Sequence, residues 1–204
     1  TGDEPVARDY DGDGKTDPAV VRRTGGNMIW YILNSTGGFS ATQFGLSTDY
    51  TAPGNYDGDT KFDIGVQRPG ATAASQSTFY IQQSSNNSYL IVNWGLSNDL
   101  VVPGDYDGDG KCDVAVWRPS NGTWYIINST NNALTSTQYG VLNDVPATGD
   151  FDGDGRNDLS IFRPSTGMWF QRRSSNDVFV NASWGVLDDV LVVGDYDNDG
   201  RDDI

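Results

Sequence analysis

Apolar residues fall in short runs along this chain, and Gly, Pro, Asn and Asp separate them. That is the spacing of all-β architecture, with no long stretch of Ala, Leu, Glu and Lys to make a helix. Four short strands recur. The first precedes an acidic loop, as in Leu100 to Val102 or Val190 to Val193. The second follows it, as in Val114 to Trp117 or Leu159 to Phe162. The third holds an aromatic pair, as in Thr123 to Ile127, and the fourth runs to an aromatic-glycine step, as in Ser136 to Tyr139.

The pattern is a repeat. The acidic nonapeptide Asp9 to Asp17 returns at Asn55 to Asp63, Asp105 to Asp113, Asp150 to Asp158 and Asp195 to Asp203, with starts 46, 50, 45 and 45 residues apart. Arg22, Arg68, Arg118 and Arg163 keep the register. So do the pairs Trp30-Tyr31, Phe79-Tyr80, Trp124-Tyr125 and Trp169-Phe170, and the steps Phe44-Gly45, Trp94-Gly95, Tyr139-Gly140 and Trp184-Gly185. From each pair to the next loop the distance is 25, 26, 26 and 26 residues, whereas from a loop's last Asp to its pair it is 13, 16, 11 and 11. Length variation therefore sits in one hairpin turn, longest at Pro69 to Thr78, and that turn is expected to be exposed. Units of about 45–50 residues with four antiparallel strands predict blades of β-propeller type. The repeats are 1–46, 47–96, 97–141 and 142–186, with a partial fifth at 187–204, read as one repeat domain.

Each loop spells D-x-D-x-D-G-x-x-D. A hard divalent cation such as Ca²⁺ takes about 6–8 oxygens at about 2.3–2.6 Å. Carboxylates at positions 1, 3 and 5 can wrap one ion, the glycine at position 6 permits a sharp turn, position 7 offers a carbonyl and the Asp at position 9 closes the shell. The loop is shorter than a helix-flanked EF-hand loop and has β-type flanks. Charge agrees: the net charge is −15, and nineteen of the 28 acidic residues occupy these ligand positions. Five bound Ca²⁺ would bring the net charge to about −5. Mg²⁺ fits less well, since it keeps several waters. The loop at 55–63 departs most, with Asn55 at position 1 and Thr60 where the others have Gly. A side chain in a left-handed turn is strained, so this site is expected to be the weakest or empty. Asn198 in the fifth loop is a neutral change.

These residues resemble the FG-GAP or VCBS-type repeat, also found in the integrin alpha-subunit propeller; Phe44-Gly45 and Ala52-Pro53-Gly54 nearly spell its name. The resemblance covers almost the whole chain. It implies propeller blades with Ca²⁺ bracing each inter-strand loop, four to five ions in all. Carried across, the ligands are Asp9, Asp11, Asp13, Lys15 and Asp17; Asn55, Asp57, Asp59, Lys61 and Asp63; Asp105, Asp107, Asp109, Lys111 and Asp113; Asp150, Asp152, Asp154, Arg156 and Asp158; and Asp195, Asp197, Asp199, Arg201 and Asp203, with the Lys and Arg acting through their carbonyls. Propellers of this family usually close with more blades than four. The chain is therefore a fragment of a larger propeller, a small ring, or a module whose strand edges are completed by another chain.

Other classes are disfavoured. A net charge of −15 argues against nucleic acid. No apolar run is long enough to span a bilayer, and no secretory leader pattern opens the chain. With no histidine, the commonest general base is missing. The clustered carboxylates are committed to the loops, so no enzyme is expected. The single Cys112 lies at position 8 of its loop, where no ligand is needed. A metal-braced bacterial secreted or surface protein fits, with the five N-x-S/T sequons as chance products of composition there, or marks of exposed turns in a glycosylating organism. The function expected is calcium-stabilised recognition or adhesion, with a glycan or protein ligand. The alternatives are a subunit assembling with copies of itself into a fibre or coat, and an accessory propeller of a secreted enzyme. The recurring aromatics serve packing between blades or, at Trp30, Trp124 and Trp169 beside the variable turn, the faces of sugars. The arginines are expected to bond loop carbonyls or a carboxylate.

Overall fold

A computed structural model describes residues 2–204, and all the regular elements are strands. The chain divides into two compact units, Thr1–Val101 and Val102–Ile204. The strands form four antiparallel sheets of four, and in each the spatial order follows chain order. The first sheet holds β1 (Glu4–Pro5), β2 (Ala19–Thr24), β3 (Asn27–Leu33) and β4 (Phe39–Leu46). The second holds β5 (Tyr50–Thr51), β6 (Ile64–Arg68), β7 (Gln76–Gln82) and β8 (Tyr89–Leu96). The third has β9 (Leu100–Val101), β10 (Val114–Arg118), β11 (Thr123–Ile127) and β12 (Leu134–Gln138). The fourth has β13 (Val145–Gly149), β14 (Asp158–Arg163), β15 (Met168–Arg172) and β16 (Phe179–Ser183). Four-stranded sheets of this order are propeller blades.

Burial in each blade is greatest in the second and third strands. The second strands of the second, third and fourth sheets are covered on both faces. In β10, Val114, Ala115, Val116 and Trp117 are all buried, which is why this strand reads as an unbroken apolar run, whereas Arg22, Arg23 and Thr24 of β2 are exposed. Third strands alternate, with Met28, Trp30 and Ile32 inward. Fourth strands are mostly exposed. Neighbouring blades share a core within each unit: Val66 of β6 packs with Val21, Met28 and Trp30, and Ile161 of β14 with Trp117 and Trp124.

Three expectations need correction. Of the two readings of Trp30, Trp124 and Trp169, packing holds and the sugar face does not: they are 0%, 0% and 3% exposed and lie in the buried cores. Their indole N–H groups donate to the carbonyls of Phe44, Tyr139 and Trp184 at 2.9–3.0 Å, fastening the third strand to the aromatic-glycine step. There the glycines 45, 95, 140 and 185 all have positive φ, a bend that other residues resist. The variable turn at Pro69 to Thr78 is shorter than expected, because β7 begins at Gln76 and Ser77 is buried. Val190 to Val193 forms no strand; among the described residues there is no second strand for it to pair with, and only the bridge Gly194 to Asp203 forms.

Candidate metal centre

The five acidic loops share one geometry. In the first loop, both oxygens of Asp9 at position 1 accept backbone N–H groups, Gly12 at 2.6 Å and Gly14 at 2.8 Å. Asp105, Asp150 and Asp195 repeat this with the amides at positions 4 and 6. At position 5, Asp13, Asp59, Asp109, Asp154 and Asp199 accept the N–H of position 7, namely Lys15, Lys61, Lys111, Arg156 and Arg201. The position-9 residues Asp17, Asp63, Asp113 and Asp158 are wholly buried. One oxygen of each accepts the N–H of position 2, Tyr10, Tyr56, Tyr106 or Phe151.

A Ser-Ser or Ser-Thr turn between third and fourth strands closes over each of the first four loops, and the sequence reading missed it. Ser35, Ser84, Ser129 and Ser174 donate their N–H to the other oxygen of the position-9 Asp at 2.6–2.7 Å. Their neighbours Thr36, Ser85 and Ser175 donate hydroxyls to Asp11, Asp57 and Asp152 at position 3. Thr130 instead reaches Asp109 at 3.1 Å. A signal was available, since each turn begins five residues after the first aromatic of the pair.

These bonds hold the carboxylates of each loop close together. Carboxylate oxygens of Asp9, Asp11 and Asp13 lie within 4.8 Å of one another. The same holds for Asp57, Asp59 and Asp63, for Asp105, Asp107 and Asp113, for Asp150, Asp152 and Asp158, and for Asp195, Asp197 and Asp199. In the third and fourth loops Oδ1 of Asp107 and of Asp152 is buried with no hydrogen-bond donor. A buried, unpartnered carboxylate oxygen is costly, and a hard cation is the partner this all-oxygen donor set suits. Burial pushes the Asp113 carboxyl up to about 6, against the pull of its bonds from Ser129 and Tyr106. Burial likewise raises Asp63 and Asp158.

The second loop has lost part of the pattern. Asn55 keeps the bond from Gly58 at 2.8 Å, but its other terminal atom is an amide nitrogen and accepts nothing. Thr60 sits at φ +80°, a left-handed conformation unfavourable for a β-branched residue. Asn198 also takes a positive φ, 64°, which Asn tolerates.

The arginines bond carboxylates, including a set that the sequence reading passed over. Arg68 holds Asp49 through Nε and Nη2 at 3.1 and 2.9 Å, and Arg163 holds Asp144 at 2.8 and 2.9 Å. Arg22 pairs with Asp3 at 2.8 and 2.7 Å. Asp49, Asp99 and Asp144 are buried and accept the N–H three residues back. All stand four residues after the glycine of an aromatic-glycine step. Each guanidinium also lies over the second aromatic of its blade: Arg22 over Tyr31, Arg68 over Tyr80, Arg118 over Tyr125 and Arg163 over Phe170, at 4.4–5.1 Å.

Residues 105–161, from the third loop into the fourth blade, match the family model of the FG-GAP-like repeat. No curated protein matches the chain. The matched segment carries the acidic loop, the arginine and the aromatic pair that all four sheets repeat in register, so the chain is built of FG-GAP-type repeats, each folded as a propeller blade.

Proposed function

We propose that this chain is a calcium-stabilised, non-enzymatic recognition module that works outside the cell, where calcium is abundant. The observation that carries the calcium reading is the pair of buried, donor-less oxygens on Asp107 and Asp152. Ca²⁺ supplies the positive charge these loops lack, held by the carboxylates at positions 1, 3, 5 and 9 and the carbonyl at position 7. Four to five ions bind, the site at 55–63 most weakly. Part of the folding free energy then comes from metal, which suits a chain with 36% apolar residues. Support for a non-catalytic role comes from the same contacts: the loop carboxylates are tied to backbone amides and hydroxyls. No helix among the described residues is long and apolar enough to cross a membrane. A glycan or protein is the ligand proposed for the module.

A second reading is favoured by one feature. Val192 and Tyr196 around the last loop are 63% and 66% exposed, whereas their counterparts Ala52 and Tyr56 are buried. An apolar face of this kind suits assembly with copies of the chain. Native mass spectrometry with calcium and after chelation tests both readings. Monomers with four or five ions support the module, calcium-dependent oligomers support assembly, and a chain without calcium refutes the core of the proposal.

A further inference from the structure

Adjacent loops within a unit are joined through the residue at loop position 8, which has no place among the ligands. In the second unit Asn157, position 8 of the fourth loop, clamps Asp105, position 1 of the third. Its N–H donates to the Asp105 carbonyl at 2.6 Å, and its side-chain Oδ1 accepts the Asp105 N–H at 2.8 Å. Asp202 of the fifth loop clamps Asp150 of the fourth identically, at 2.7 and 2.8 Å. The neighbouring position-7 side chains reinforce the contact. Arg156 lies across Gly108 and Arg201 across Gly153, so close that a Cβ on either glycine would stand 2.6 or 3.2 Å from the arginine. In the first unit Phe62 gives only the backbone half, its N–H donating to the Asp9 carbonyl at 2.8 Å.

The clamped residue sets the geometry of its own loop. Both carboxylate oxygens of Asp105 are fixed by amides of the third loop, at 2.6 and 2.8 Å, and both backbone groups are fixed by the fourth. From this geometry we infer that Asn157 and Asp202 are positioning residues for the metal site of the preceding loop, and that calcium binding is positively coupled along the third, fourth and fifth loops. This rests on the calcium reading above. An ion that orders the fourth loop pre-orients the clamp on Asp105, so the third loop has less left to order. Linkage makes the effect reciprocal. The first and second loops keep the position-7 packing, with Lys61 across Gly12, but lack the side-chain hydrogen bond at position 8 and are coupled less.

The test is a calcium titration of the full chain by amide NMR, reading Gly110 for the third loop and Gly155 for the fourth. Asn157→Ala removes the side-chain clamp and leaves Asp150, Asp152, Asp154 and Asp158 in place. The third-loop midpoint should move to about fivefold higher calcium, the equivalent of one lost hydrogen bond, while the fourth moves less. Asn157→Asp restores the acceptor in the form Asp202 already uses, and should return the third loop to near its original midpoint even if Asn157→Ala lowers overall stability. Asp152→Ala, which disables the fourth loop, should weaken the third. An unchanged third-loop midpoint in Asn157→Ala and Asp152→Ala overturns the coupling alone. A wild-type chain whose glycine amides ignore calcium overturns the calcium reading and the coupling together.

Discussion

Removing Arg68 strands a carboxylate. Asp49 is 1% exposed and has three donors: the Leu46 N–H at 2.8 Å and the Arg68 Nε and Nη2 at 3.1 and 2.9 Å. The guanidinium also lies 4.6 Å from the centre of the Tyr80 ring. Arg68→Ala leaves Asp49 with the Leu46 amide. Breaking a buried pair costs about 3–5 kcal/mol. The Arg68 side chain is 36% exposed, so water reaches the gap and reduces that to about 2–3 kcal/mol. The lost ring contact adds about 0.5–1 kcal/mol, for a total of about 3 kcal/mol. Arg163→Ala, with a comparable pair to Asp144 and a ring contact to Phe170, should cost the second unit a similar amount. Arg22→Ala breaks the same bidentate pair with Asp3, but both partners are solvent-exposed, so the pair contributes little and the loss should be confined to the Tyr31 ring contact, well below that of Arg68→Ala. The assay is urea unfolding at saturating calcium, followed by hydrogen-exchange mass spectrometry so that each unit is scored separately. Asp49→Asn in the Arg68→Ala background removes the stranded charge and should recover part of the loss. A cost below about 1 kcal/mol for Arg68→Ala, or no recovery in the double variant, would refute the reasoning.

Thr60→Gly relieves the left-handed strain at φ +80°, about 1–2 kcal/mol, and gives back about 0.5–1 kcal/mol in chain entropy. The net is a gain of up to about 1 kcal/mol and a lower calcium midpoint for the second loop, read by thermal melting and titration; a lower Tm would contradict it. Asp107→Ala should remove one ion from the native mass spectrum and lower stability in calcium by about 1–3 kcal/mol. In chelator the same change should be neutral or stabilising, because it deletes an unpartnered buried oxygen; equal losses with and without calcium would show that Asp107 is structural only. The Asp113 carboxyl, raised to about 6 in the metal-free protein, holds its proton in the folded state where the unfolded chain has lost it. Its contribution to metal-free stability therefore falls as pH rises from about 4 to about 6, while calcium binding at that loop strengthens as the competing proton leaves. Melting in chelator across that window checks the sign, and Asp113→Asn should flatten this part of the profile.

Strand order and loop position were legible because both depend on local chemistry repeated in register. The nonapeptide fixes where the chain turns, and the aromatic pair fixes which strand is covered. Groups that act across the sequence were harder to see. Asp49, Asp99 and Asp144 read as ordinary polar residues of a turn until their burial is known. The Ser-Thr turn looks like a sequon-rich loop, and its hydroxyls gain meaning only when Asp11 or Asp152 lies beneath them. Cys112 hides the importance of position 8, because its side chain resembles neither Asn157 nor Asp202. The tryptophans left two readings open, packing between blades and a sugar face, and their burial decides for packing. A repeated indole beside a variable turn suits a sugar face, and only the hydrogen bonds to the aromatic-glycine carbonyls reveal that the polar edge is already occupied.

The fifth loop has the inner amide bonds to Asp195 that the third has to Asp105, but among the described residues no Ser-Thr turn covers it, and Asp195, Asp197 and Asp199 are exposed. Among the described residues the nonapeptide thus occurs both beneath such a turn and without one. The difference in ion affinity between the third and fifth loops would combine what this roof and the Asn157 clamp on Asp105 contribute, and Asn157→Ala would separate the two.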